Sequence, residues 1–78
     1  MKTILLVDDS SLMRDRCSKF IETLGYQCEQ ANNGLEGIKK YKELRPDLVF
    51  MDISMPIMNG IEATKGIIQF DSNALIII

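Results

Sequence analysis

The sequence predicts an α/β fold, with one parallel sheet and a helix between successive strands. Short apolar runs recur along the chain. Ile4-Leu5-Leu6-Val7, Leu48-Val49-Phe50-Met51 and Ala74-Leu75-Ile76-Ile77-Ile78 carry no polar alternation, which suits strands buried on both faces. Between the runs the apolar residues switch to a helical period. Strands that alternate with helical crossovers are parallel, and their connections are right-handed.

The first run ends in Asp8-Asp9-Ser10-Ser11. All are good N-cap types, and helical periodicity begins directly after them. Met13, Cys17, Phe20, Ile21 and Leu24 fall at i, i+4, i+7, i+8 and i+11, one face of a helix. Gly25 supplies its C-terminal stop. From Tyr26 to Ala31, Tyr26 and Cys28 alternate with Gln27 and Glu29, the pattern of a half-exposed edge strand. Asn32-Asn33-Gly34 reads as a turn. Leu35, Ile38, Tyr41 and Leu44 form the next helical stripe, with Glu36, Lys39, Lys40, Lys42 and Glu43 on the solvated side. Gly37 costs that helix about 1 kcal/mol relative to alanine and marks a close packing contact. Arg45-Pro46 ends the helix.

The stretch from Asp47 to Gly60 organises the rest. Its first half is a buried-type strand closed by Asp52. Its second half cannot continue that strand, because Pro56 lacks an N–H and Asn59-Gly60 is a turn pair. Ile61, Thr64 and Ile68, flanked by Ala63 and Ile67, form a third helical face. Asp71-Ser72-Asn73 is a loop, and the chain stops within the fourth apolar run. The pattern is therefore βαβαβαβ. An edge position for the polar strand gives the order 2-1-3-4, with a topological switch point between the first and third strands. Ligands collect at such points, outside the carboxyl ends of the strands. Asp8 and Asp9 then lie at one strand end and Asp52 at its neighbour.

Composition narrows the function classes. A chain of 78 residues holds at most one domain, and 46% hydrophobic with 26% charged residues is globular rather than disordered. A net charge of −2 argues against nucleic acid or an anionic membrane as a direct partner. No apolar run approaches the roughly 20 residues of a membrane span. Met1-Lys2-Thr3 leads into a short apolar run that ends in acids, unlike a signal peptide. These features set the expectation of a cytoplasmic chain. Cys17 and Cys28 lack metal-ligand spacing and there is no histidine, so buried free thiols are expected. Met13, Met51, Met55 and Met58 suit packing better than a soft-metal site.

Neighbouring strands run about 4.8 Å apart, so carboxylates at both strand ends crowd one small volume. They repel, and at least one pKa rises unless a cation intervenes. Mg2+ fits, since it takes one or two carboxylates, keeps several waters and commonly holds a phosphate. A carboxylate can also serve as the nucleophile of phosphoryl transfer. Each acid also has a plainer reading. Asp8 and Asp9 can be helix caps, and Asp52 a turn acid. Their convergence on one point favours the chemical reading.

Ile4-Leu5-Leu6-Val7-Asp8-Asp9-Ser10, followed by Asp47-Leu48-Val49-Phe50-Met51-Asp52-Ile53-Ser54-Met55-Pro56-Ile57-Met58-Asn59-Gly60, resembles the receiver domain of two-component response regulators, and is most similar to the chemotaxis type. The likeness spans the whole chain. It implies a flavodoxin-like fold and roles for individual residues. Asp52 would be the phosphoacceptor. Asp9 would ligate Mg2+ directly, Asp8 mainly through a metal-bound water, and the Ser54 backbone carbonyl would add a ligand. The Ser54 side chain would influence access of hydrolytic water. Met55, Pro56 and Gly60 would shape the loop. The family pattern continues with a switch Ser or Thr, a fifth strand carrying a Lys, and two further helices. This chain has no residue matching them, so residues 1–78 read as a partial receiver domain ending in its fourth strand.

The leading expectation is a phosphoacceptor rather than an enzyme. Its donor would be a histidine kinase or a small phosphodonor such as acetyl phosphate, and its reader a downstream protein or output domain. An interaction fragment that is never phosphorylated is the alternative favoured by the missing Lys. A Mg2+-dependent phosphatase with an aspartyl nucleophile fits less well, because Asp52-Ile53-Ser54 lacks the second acid such sites carry. A dinucleotide site is excluded, since no Gly-x-Gly-x-x-Gly follows Val7. The bare edge of the fourth strand is expected to drive self-association.

Overall fold

The chain alternates strand and helix as β1 (Thr3–Val7), α1 (Ser11–Thr23), β2 (Gln27–Ala31), α2 (Gly34–Leu44), β3 (Leu48–Met51), α3 (Gly60–Phe70) and β4 (Ile76–Ile77). The computed structural model describes residues 2–78. The strands form one sheet in the order β2-β1-β3-β4, and all three pairings are parallel. The polar strand takes an edge and the apolar β1 and β3 lie inside, as the alternation pattern required. Among the described residues, no helix is long and apolar enough to cross a membrane.

Side chains on a strand alternate between faces, so the sheet has two unlike sides. Leu5, Val7, Val49 and Met51 meet α2 and α3 and join Ala31, Tyr41, Ala63 and Ile67 in the main core. Gly37 is buried against Val7, the close contact its place in the helix suggested. Tyr41 donates its phenol to Asp71 Oδ2 at 2.8 Å, linking α2 to the end of α3. Burial and the Asp71 carboxylate push that phenol up to about 12. Phe70 stands edge-on to Tyr41 at 6.4 Å, and the Arg45 guanidinium lies 4.7 Å from the Phe70 ring.

Among the described residues, the opposite face carries only α1. A helix is about 10 Å across, whereas four strands about 4.8 Å apart span roughly 14 Å between the outer ones. One helix cannot cover that width. An apolar groove of about 800 Å³ remains open between α1 and the sheet, lined in part by Leu6, Phe20, Leu24, Leu48, Phe50 and Leu75. This corrects the expected α1 stripe. Ile21 is buried, Cys17 is half-buried, and Met13, Phe20 and Leu24 are exposed.

Other boundaries shift for local reasons. Tyr26 precedes β2 rather than opening it. Gly34 and Gly60 are the first residues of α2 and α3 rather than turn residues, because Asn33 and Asn59 cap those helices through their side chains. In α3 the buried residues are Gly60, Ala63 and Ile67, while Ile61 and Ile68 are exposed. The buried face is rotated by one position, about 100°, from the expected Ile61, Thr64 and Ile68. β4 pairs only over Ile76–Ile77, shorter than the apolar run that contains it. Cys17 and Cys28 are free and half-buried. Met51 is buried, Met55 and Met58 pack against the core, and Met13 is exposed.

Candidate functional site

The register of the sheet brings the acids together. Val7 is paired with Met51, so the residues that follow them, Asp8 and Asp52, leave the sheet side by side. The ladder extends one step into the loops. The Asp52 N–H donates to the Val7 carbonyl at 2.9 Å, and the Asp8 N–H donates to the Ala31 carbonyl at 3.1 Å. The backbone under both acids is therefore fixed by strand pairing.

The Asp8-Asp9 loop is shaped by its own side chains. Asp8 Oδ1 accepts the Ser10 N–H at 2.9 Å, an Asx turn that redirects the chain into α1. Ser10 is the helix cap, its hydroxyl accepting the Met13 N–H at 3.3 Å. The cap role weighed for Asp8 and Asp9 thus falls to Ser10. Asp9 is exposed, with no cap to serve.

Asp8, Asp9 and Asp52 each present a carboxylate oxygen within 4.8 Å of the other two. Asp8 and Asp52 are half-buried. Burial pushes the Asp52 carboxyl above the usual range, and the charges of Asp8 and Asp9 push it further. The backbone amides of Ile53 and Ser54 partly oppose this. A carboxylate trio with one member held toward its neutral form suits a hard divalent cation, which removes the mutual repulsion. The donors are all oxygen and one side is open to water, as Mg2+ prefers.

Behind Asp52 the loop is tightly closed. Ser54 and Pro56 are exposed, while Met55 and Met58 pack against the core cluster. The Gly60 N–H donates to the Ile53 carbonyl at 2.8 Å, which places the start of α3 directly on the loop. Asn59 and Glu62 then close a capping box, each side chain accepting the other's backbone N–H. Ile57 sits at φ +72°, the left-handed region, and is 75% exposed.

One residue near the acids had no sequence signal. Arg14, one turn into α1, reaches back to the Asp8 carbonyl at 2.6 Å and to Gln30 Oε1 at 3.1 Å. Only the folded arrangement brings β2 close enough for a basic residue of α1 to bridge to it.

The family described as the response regulator receiver domain matches residues 4–78. The chemotaxis protein CheY of Thermotoga maritima is 50% identical over 78 residues, covering 99% of this chain and 65% of the relative. The chain therefore spans just under two thirds of the length of that relative. Among solved structures, the response regulator TrrA of Thermotoga maritima, in complex with Mg(2+)-BeF, aligns at a TM-score of 0.94 and 37% identity, covering 97% of this chain and 66% of that one. The complex of TrrA with the histidine kinase ThkA gives 0.92 at the same identity, with the same coverage of both chains. Sheet order, the acids at adjoining strand ends and these matches agree: the chain, similar to chemotaxis CheY proteins, belongs to the response regulator receiver domain family of two-component signalling.

Proposed function

We propose that this chain takes a phosphoryl group on Asp52, with Mg2+ held by Asp8, Asp9, Asp52 and the Ser54 backbone carbonyl. The observation that carries the reading is the carboxylate trio within 4.8 Å at the ends of β1 and β3. The complexes of TrrA with Mg(2+)-BeF and with a histidine kinase support it by analogy. When bound, Mg2+ would neutralise charge gathering on the phosphoryl oxygens.

The residues of the chain supply the remainder. A carboxylate oxygen of Asp52 attacks phosphorus. A new O–P bond forms while the bond from phosphorus to the donor breaks, either P–N of a phosphohistidine or P–O of acetyl phosphate. The leaving imidazole or acetate carries away the bonding pair, and the imidazole takes up a proton from solvent. Asp9 and Asp8 orient the cation, Ser54 borders the path of hydrolytic water, and Met55, Pro56 and Gly60 hold the loop. The chain acts as a signalling domain rather than a turnover enzyme, in the cytoplasm, with a downstream protein or output domain as its reader. Residues 1–78 supply the acids of the site.

The test treats the chain with acetyl phosphate and Mg2+ and locates the modification by mass spectrometry. Labelling at Asp52 that disappears in Asp52→Asn supports the reading. Labelling elsewhere at an unchanged rate overturns it.

A second reading is favoured by the open groove beside α1. It is an interaction fragment whose partner is a second copy of the chain. Leu75 lines the groove and directly precedes β4 in the chain.

A further inference from the structure

Arg14 lies on a helix whose neighbouring positions, Met13 and Asp15, are exposed, yet its own side chain is half-buried. The guanidinium turns toward the carboxylate loop. Nη1 donates to the backbone carbonyl of Asp8 at 2.6 Å, and Nε donates to Gln30 Oε1 at 3.1 Å. Gln30 belongs to β2, so Arg14 ties α1, the end of β1 and the edge strand together.

The choice of acceptor matters. Arg14 holds a carbonyl rather than a carboxylate, so it takes up none of the carboxylate oxygens that would face a cation. That carbonyl belongs to the peptide joining Asp8 to Asp9. A peptide is planar, so its orientation sets where the next Cα, and hence the Asp9 side chain, points. On the other side of the same residue, the Asp8 N–H is held by the Ala31 carbonyl at 3.1 Å. The pair of bonds fixes Asp8 from both directions.

We infer that Arg14 is a positioning residue of the Mg2+ site. It orients the Asp8–Asp9 peptide, and Gln30 in turn orients the guanidinium. The inference rests on the reading of Asp8, Asp9 and Asp52 as the Mg2+ ligands. Its sign is opposite to a simple charge effect. A guanidinium near a divalent cation repels it, so removing the charge alone would tighten Mg2+ binding. Removing an orienting contact weakens it.

The experiment titrates Mg2+ into the chain while following the amide resonances of Asp9, Asp52 and Ser54. Arg14→Ala is expected to weaken Mg2+ about 10-fold, the low end for groups that orient metal ligands. Arg14→Lys keeps the charge but lacks the forked geometry, and stays weakened. Gln30→Ala weakens binding by a smaller factor, about 3-fold, and adds nothing in the Arg14→Ala background, because the two act through one contact. Unchanged or tighter Mg2+ in a folded Arg14→Ala overturns the inference, as does full affinity in Arg14→Lys. If Arg14→Ala loses its amide dispersion, Gln30→Ala decides alone, and an unchanged Mg2+ affinity there overturns the inference. If the unsubstituted chain shows no Mg2+ response at Asp9 or Asp52, the Mg2+ reading itself fails. The brace is then tested without metal through hydrogen exchange at the Ser10 amide, which bonds to Asp8 Oδ1. Faster exchange in Arg14→Ala supports the brace, and unchanged exchange overturns it.

Discussion

Gly60 touches the backbone of Asp52 so closely that a Cβ at position 60 would lie 2.1 Å from the Asp52 carbonyl oxygen. The first residue of α3 is thereby built into the wall of the acidic site. The helix start can sit against the loop only because its first residue has no side chain. The Asn59–Glu62 capping box holds it there.

The first prediction follows from that contact. Gly60→Ala places a methyl against backbone atoms of Asp52 and Ile53, which cannot rotate away. A loss of about 3 kcal/mol is expected, the upper range for an overpacked site. The shift in urea midpoint measures it. A loss below about 1 kcal/mol would mean that the loop yields easily.

The second concerns Asp52. Burial, then Asp8 and Asp9, raise its pKa in the folded chain. The native state therefore holds the proton more tightly than the unfolded state does. The stability this contributes is fully present below the unfolded value and is lost as pH rises through the raised native value. Asp52→Asn removes that loss. The variant should be the more stable chain at neutral pH, and the advantage should shrink as pH falls through the raised native value and vanish below the unfolded carboxylate value. Thermal unfolding in metal-free buffer across that range checks the convergence. An advantage that persists in acid would point to another cause.

A third prediction addresses Ile57. A β-branched residue at φ +72° is strained, and its side chain is 75% exposed, so little packing offsets the strain. Asparagine tolerates this conformation better. Ile57→Asn is expected to stabilise the chain by about 1 kcal/mol, read from denaturant unfolding. A loss of stability would show that Ile57 makes contacts that matter more than the strain.

The fourth separates the two ways the chain can associate. β4 pairs over only Ile76–Ile77, a short template for another strand. The groove beside α1 is larger and is lined by Phe20, Leu24, Phe50 and Leu75. Light scattering over a range of concentrations should show association that Phe20→Lys reduces more than Ile77→Lys does. The reverse order would assign it to the strand edge. A monomer at every concentration would remove the second functional reading.

Much of this fold was legible in the sequence. Uninterrupted apolar runs set β1 and β3 inside the sheet, and the alternation from Tyr26 to Ala31 set β2 at its edge, because burial on one or two faces dictates the pattern. Acids placed directly after β1 and β3 foretold the carboxylate cluster, since neighbouring parallel strands end together. Tertiary structure decided what depends on neighbours. The α1 stripe is partly bare because one helix is too narrow for the sheet, and the buried face of α3 was set by the Gly60 contact rather than by its most apolar stripe. Ser10 took the cap that Asp8 and Asp9 were equally suited to fill. Arg14 joined the site only because folding carried β2 to its side. Periodicity records which residues prefer burial, whereas a contact between distant segments exists only once the chain has closed on itself.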